Sequence, residues 1–175
     1  MKRKQSRARN IAFIGIAASV AMVLSYIEFL LPPIFVAVPG IKVGLPNVMI
    51  LYILYAMDVR YAAFVSFARL TLTAHLFGSA MTLAYSIAGA VISLAVMFIL
   101  KKTDKLSPVG VSVAGGVFHN LGQVLVAILL LDTPQIAYYM IVLTVTGTLS
   151  GIFIGLCGAM LVKRLPPHRI FRGIR

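Results

Sequence analysis

Pro39-Gly40-Ile41-Lys42-Val43-Gly44-Leu45-Pro46-Asn47 interrupts a chain that is otherwise strongly apolar, placing two prolines, two glycines, one cation and one amide between the run Ile11 to Leu31 and the run ending at Met57. Inside a bilayer, irregular backbone persists only where protein or a water-filled cavity satisfies its N–H and C=O groups. Gly- and Pro-broken segments between spans therefore point to binding sites. The reading of this stretch depends on whether the runs around it are membrane spans.

They have the composition of spans. The 175 residues are 61% hydrophobic and 11% charged, with a mean hydropathy of +1.01. A soluble domain of this length has too little interior to hide so much apolar surface. Apolar runs lie at Ile11 to Leu31, Leu45 to Met57, Tyr61 to Gly78, Met81 to Leu100, Pro108 to Leu131 and Tyr138 to Val162. Most are near the length a spanning helix needs. The chain is read as an all-α integral membrane protein of six transmembrane helices, one domain over residues 1–175.

The formal net charge is +12, and the placement of the cations matters more than their sum. Lys2, Arg3, Lys4, Arg7 and Arg9 lead the chain, in a basic N-terminal segment 1–10. Arg60 follows the second run, Lys101, Lys102 and Lys105 follow the fourth, and Lys163, Arg164, Arg169, Arg172 and Arg175 lie in a basic tail over residues 163–175. These are fourteen of the sixteen lysines and arginines, and six spans place all four groups on one side. By the positive-inside rule that side is cytoplasmic, with both termini there and the plasma membrane as the location. The charge then serves topology and anionic lipid headgroups, and no nucleic-acid partner is expected. The first run is long enough for a spanning helix and is not read as a cleaved leader. Cys157 is the sole cysteine, so an internal disulfide or a cysteine-rich metal cluster is excluded.

Short connections pair neighbouring helices: Asp58-Val59-Arg60, Lys101 to Ser107 and Asp132-Thr133-Pro134. Leu45 to Met57 would be only about 20 Å long at helical rise, short for a hydrocarbon core of about 30 Å. The second span is therefore expected to borrow the irregular stretch before it, with Pro46 in its first turn and Ile34 to Val38 folding back at the outer face. Gly147, Gly151 and Gly155 recur at four-residue spacing in the last span, followed by Gly158. Such rows let backbones approach closely, here expected in internal packing. Ala17 and Ala21 form a shorter small-residue pair on the first span, beside Ala12 and Ala18.

Polar side chains in hydrocarbon are costly and need partners or a function. Glu28 falls in the outer part of span one, Lys42 and Asn47 at the outer start of span two, and Arg69 and His75 in span three. His119, Asn120 and Gln123 lie near the middle of span five. His119 and Gln123 share a helical face, with Asn120 about 100° round from His119. Two readings stand: a hydrogen-bond network that fixes helix packing, or a ligand site. One carboxylate against Lys42 and Arg69 favours an anionic or polar-headed ligand. Tyr26, Phe29, Phe35, Phe77 and Tyr85 fit an interfacial aromatic belt. The four acidic residues, Glu28, Asp58, Asp104 and Asp132, form no Asp-rich pair to hold magnesium on a diphosphate. No G-x-x-x-x-G-K-[ST] loop or H-E-x-x-H pattern occurs. The chain is therefore expected not to be an enzyme and to use no cofactor or metal, and energy for transport would come from a gradient or another subunit.

The motifs P-G-I-K-x-G-L-x-N at Pro39 to Asn47 and H-N-x-G-Q at His119 to Gln123 carry a resemblance over nearly the whole chain. Arg9-Asn10-Ile11, Glu28, Arg69 and Ser86-Ile87-Ala88-Gly89 extend it. Together they resemble the Gx transporter family, many of whose members are labelled heptaprenyl diphosphate synthase component I. That family is similar in turn to the substrate-binding S components of energy-coupling factor (ECF) transporters. The resemblance implies a six-helix bundle with an outward ligand pocket and docking to a shared transmembrane subunit carrying two ATPases. It matches Ala17 and Ala21 to an alanine pair that contacts that subunit. Pro46 departs from the family pattern, where alanine is expected.

The leading expectation is a substrate-binding membrane subunit that captures a small ligand through Glu28, Lys42, Asn47, Arg69, His119, Asn120 and Gln123. A second is an accessory membrane subunit in isoprenoid or quinone biosynthesis that presents a polyprenyl substrate from a lipid-facing groove. A third is an assembly protein in which the polar cluster only joins helices.

Overall fold

Helix boundaries follow local chemistry. Ser107 caps α5, Pro108–Leu131, its hydroxyl accepting the Gly110 N–H at 3.2 Å, and Pro108 takes the first position, where a missing N–H costs nothing. Ser79 caps α4, Ala80–Thr103, through the Thr82 N–H at 3.2 Å, and the Asp58 carboxylate accepts from Val59 N at the start of α3, Val59–Phe77. The left-handed residues Asp104 and Asp132 end α4 and α5. The computed structural model describes residues 2–31 and 43–165, with side chains from residue 8 onward. The remaining helices are α1, Lys2–Leu30, α2, Asn47–Ala56, and α6, Met140–Arg164, with a 3-10 turn at Pro134–Tyr139 before α6. Replacing Ser107 by alanine is expected to lower stability by about 1 kcal/mol, measurable by thermal unfolding of the purified protein in detergent.

All six described helices match apolar runs. Four of them, α1, α4, α5 and α6, are long and apolar enough to cross a membrane. α3 is 19 residues long but carries Arg60, Arg69 and His75. α2 has ten residues and is apolar on every side, as a helix enclosed by others must be. Leu51, Tyr52, Ile53 and Leu54 are fully buried and form the centre of the core with Ala62 and Val65 of α3, Leu94 and Met97 of α4, and Val111 of α5. Pro46 lies one residue earlier than expected, at the N-cap of α2 with φ −63°, and Val43 to Asn47 are the described part of the stretch Pro39 to Asn47.

The helix ends that carry the described basic residues Arg60, Lys101, Lys102, Lys163 and Arg164 share one end of the bundle. The Lys101 ammonium at the end of α4 donates to the Leu54 carbonyl near the end of α2, and the Tyr52 hydroxyl donates to the Leu165 carbonyl after α6 at 2.8 Å. Phe13 from the first half of α1 packs on Tyr52 with ring centroids 6.0 Å apart. The C-terminal ends of α1, α3 and α5 and the N-terminal ends of α2, α4 and α6 therefore belong to the opposite end.

Two packing modes hold the helices. α5 and α6 meet backbone to backbone: a Cβ on Gly151 would lie 2.6 Å from Val113 Cα, and one on Gly116 would lie 2.5 Å from the Gly147 carbonyl oxygen. Gly155 faces Val109 in the same way. α1 packs on α2 and α3 through small side chains, and here the expected partner contact is corrected. Ala17 and Ala21 are 1% and 0% exposed, within the core that holds Ala62 and Val65, so a partner subunit cannot reach them. The exposed small residues of α1 lie on the other face, at Ala8, Ala12, Gly15 and Ser19.

Candidate ligand-binding site

A cavity of about 430 Å³ opens among the helices in the half of the bundle away from the basic ends. Its size falls within the range of small-molecule sites. α1 contributes Ser25, Glu28 and Phe29; the segment entering α2 contributes Gly44 and Asn47; and α3 contributes Arg69, Thr73 and Phe77. Thr82 and Ser86 of α4, His119, Asn120 and Gln123 of α5, and Thr146 and Ser150 of α6 complete the polar lining. Of the predicted site residues, Glu28, Asn47, Arg69, His119, Asn120 and Gln123 all meet here, while Lys42 lies outside the described residues. His75 lines no part of the cavity; it is exposed, with Nδ1 2.8 Å from the Thr71 carbonyl.

Arg69 is the centre of the site. Its side chain is 8% exposed, Nη1 donates to Ser25 Oγ at 3.5 Å, and Nε has no hydrogen-bond partner. Ser25 is itself fixed by donating to the Ala21 carbonyl at 2.9 Å one turn earlier. Glu28, three residues further on the same helix, bears electrostatically on Arg69 and accepts a hydrogen bond from the Gly44 N–H. Gly44 reaches that position with φ +78°, a left-handed conformation that favours glycine, and a Cβ there would also press on Asn47 at 2.9 Å. The irregular stretch is thus tied to the end of α1 beside the buried cation.

On the opposite wall, Gly89 of α4 lets the polar face of α5 come close: a Cβ there would stand 2.7 Å from the His119 carbonyl oxygen and 3.0 Å from Gln123 Cγ. The two readings of the α5 cluster separate at this wall. Asn120 Nδ2 donates to the Leu143 carbonyl of α6 at 2.7 Å, so that amide joins helices. His119 and Gln123 carry no such tie to α6. Asn120→Leu is expected to cost about 1 kcal/mol of stability, read as a lower melting temperature.

The hydroxyls of Ser25, Thr73, Thr82, Ser86, Thr146 and Ser150 belong to the lining; Ser86 falls in the Ser86 to Gly89 motif, while the others are not singled out by a motif, because small hydroxyl residues are ordinary in membrane helices. Of those others, Ser25 alone had a cue, standing one turn before Glu28. Phe29 and Phe77 line the cavity and stack with centroids 5.0 Å apart and rings inclined at 25°, and Tyr26 packs on Phe77 at 5.4 Å. Among the described residues no three His, Cys, Asp or Glu side chains are grouped to hold a metal ion.

A helical bundle with four helices fit to cross a membrane and a polar cavity around a buried arginine defines a membrane protein with an internal site. The chain belongs to the heptaprenyl diphosphate synthase component I family, whose family model matches residues 17–161, a span that includes every residue of the cavity named above. No curated protein and no solved structure matches the chain.

Proposed function

We propose that this protein is the substrate-binding membrane subunit of a transporter, capturing a small ligand at the outer face for uptake with an ECF-type energising module. The observation that supports it best is Arg69: a buried cation with an unpartnered Nε at the wall of a cavity is expensive to keep in a bundle and is explained by a ligand that completes it. In this proposal all six helices cross the plasma membrane, both termini are cytoplasmic, and the cavity faces outward, in keeping with the basic residues gathered at the other end. With Ala17 and Ala21 buried, an energising subunit would dock elsewhere. The chain itself would not be an enzyme.

The family's description favours a second reading, an accessory subunit presenting a polyprenyl substrate to a soluble synthase. That role calls for a long lipid-facing groove, whereas the polar groups here converge between helices. Native mass spectrometry of the gently extracted protein distinguishes the two. Transport predicts a co-purifying transmembrane subunit with ATPases and a retained small molecule; a prenyl synthase as partner, with a polyprenyl lipid, would overturn it.

A further inference from the structure

We infer that the cavity takes a small monocarboxylate, its carboxylate paired with Arg69 and its flat apolar body against Phe29 and Phe77. This rests on the reading of the cavity as a ligand site and names the class of ligand.

The first argument is hydrogen-bonding capacity. A guanidinium presents five N–H donors in a plane, and in Arg69 the Nε has no partner while Nη1 has only the Ser25 hydroxyl at 3.5 Å, a long contact. A planar anion with two oxygens is the complement of such a fork. A neutral hydroxyl or amide offers this fork weaker acceptors than a carboxylate does.

The second is charge. Among the described residues that line the cavity, Arg69 is the only lysine or arginine, and Glu28 is the only carboxylate. These two charges cancel, so an anion on Arg69 adds net negative charge beside Glu28, and a monoanion adds the least. A phosphate ester or diphosphate would add a second negative charge beside Glu28 with no second described cation to meet it.

The third is shape. Phe29 and Phe77, near the ends of α1 and α3, stack at 5.0 Å and give the cavity an apolar wall, and Leu83 and Leu143 also belong to its lining. A flat ring can lie on that wall while its carboxylate reaches Arg69. His119 and Gln123, on the other wall, supply hydrogen bonds to polar atoms of the body.

The test is thermal unfolding and calorimetric titration of the purified full chain with phenylacetate, phenylacetamide, 2-phenylethylamine and phenyl phosphate at matched ionic strength. Phenylacetate is expected to stabilise the protein and the other three to do so at least tenfold less effectively. Arg69→Gln should weaken phenylacetate on the order of tenfold to a hundredfold, the range for a hydrogen-bonded charge, and Arg69→Lys should retain part of the affinity. The wild-type comparison stands even if a variant fails to fold. Equal binding of the amide, tighter binding of phenyl phosphate, or no response to any probe would overturn the monocarboxylate class. The transporter reading would survive those results if the extracted protein still retained a small molecule without a carboxylate, and would fall with them if it retained none.

Discussion

Gly151→Leu is expected to prevent recovery of folded protein. The atoms that a Cβ would meet there are all backbone: Val113 Cα at 2.6 Å, the Ser112 carbonyl oxygen at 2.9 Å and Val113 N at 3.1 Å. Backbone cannot swing aside as a long side chain can, so α5 and α6 would have to separate. In lipid no hydrophobic force draws helices together, and their association depends on the close packing that such a separation removes. Alanine at the same position is expected to cost about 1 to 3 kcal/mol by overpacking, and leucine more. Gly15 provides the internal comparison, because nothing lies within 4 Å of a Cβ placed there. Gly15→Leu should fall within about 0.5 kcal/mol of the wild type. Size-exclusion profiles and melting curves of the three extracted variants measure this. Equal melting temperatures for Gly151→Leu and Gly15→Leu would show that the α5–α6 contact is not what holds this half of the bundle.

Arg69→Met is expected to act in the opposite sense, raising the stability of the ligand-free protein or leaving it unchanged while removing ligand retention. Methionine keeps most of the length of the side chain without the charge. Replacing a buried ion pair by apolar side chains of similar size is often neutral or stabilising by about 1 to 4 kcal/mol, and Glu28, whose charge bears on Arg69, keeps the Gly44 N–H when the cation is gone. Arg69 has an unpartnered Nε and a long bond to Ser25, so few interactions are lost with it. A residue kept for function at the expense of stability behaves this way. A structural arginine would give the reverse result, a loss of several kcal/mol, since breaking a satisfied buried pair costs about 3 to 5 kcal/mol.

Much of this arrangement was legible in the sequence for a definite reason. Each helix contains most of an apolar run, with Ser79, Asp104 and the Ser107-Pro108 pair at the ends of α4 and α5, though α1 begins at Lys2, well before its run at Ile11. The meeting of Glu28, Asn47, Arg69, His119 and Gln123 could be anticipated because lipid excludes such groups unless they converge. Facing directions were harder to read. Ala17 and Ala21 are no different in composition from Ala8 and Ala12, yet the first pair is in the core and the second is exposed. In a soluble helix, polar residues would mark the outer face; in a membrane helix both faces are apolar and the period gives no contrast. The same ambiguity hid the division of labour in α5, where adjacent residues put Asn120 on the α6 carbonyl of Leu143 and His119 beside Gly89. The run Leu45 to Met57 exceeds α2 at both ends, since Pro46 precedes the helix and Met57 follows it as the C-cap.

The central claim is that the arginine at the cavity wall is there for a ligand. Wild-type protein and Arg69→Met, extracted side by side in mild detergent, can be compared by the mass difference between their native and denatured states together with their ligand-free melting temperatures. The account predicts extra native mass from a small molecule in the wild type, no such mass in Arg69→Met, and a melting temperature in the variant that is equal or higher. Equal native-minus-denatured mass differences in the two proteins, with a markedly lower melting temperature in the variant, would contradict it and make Arg69 a structural residue.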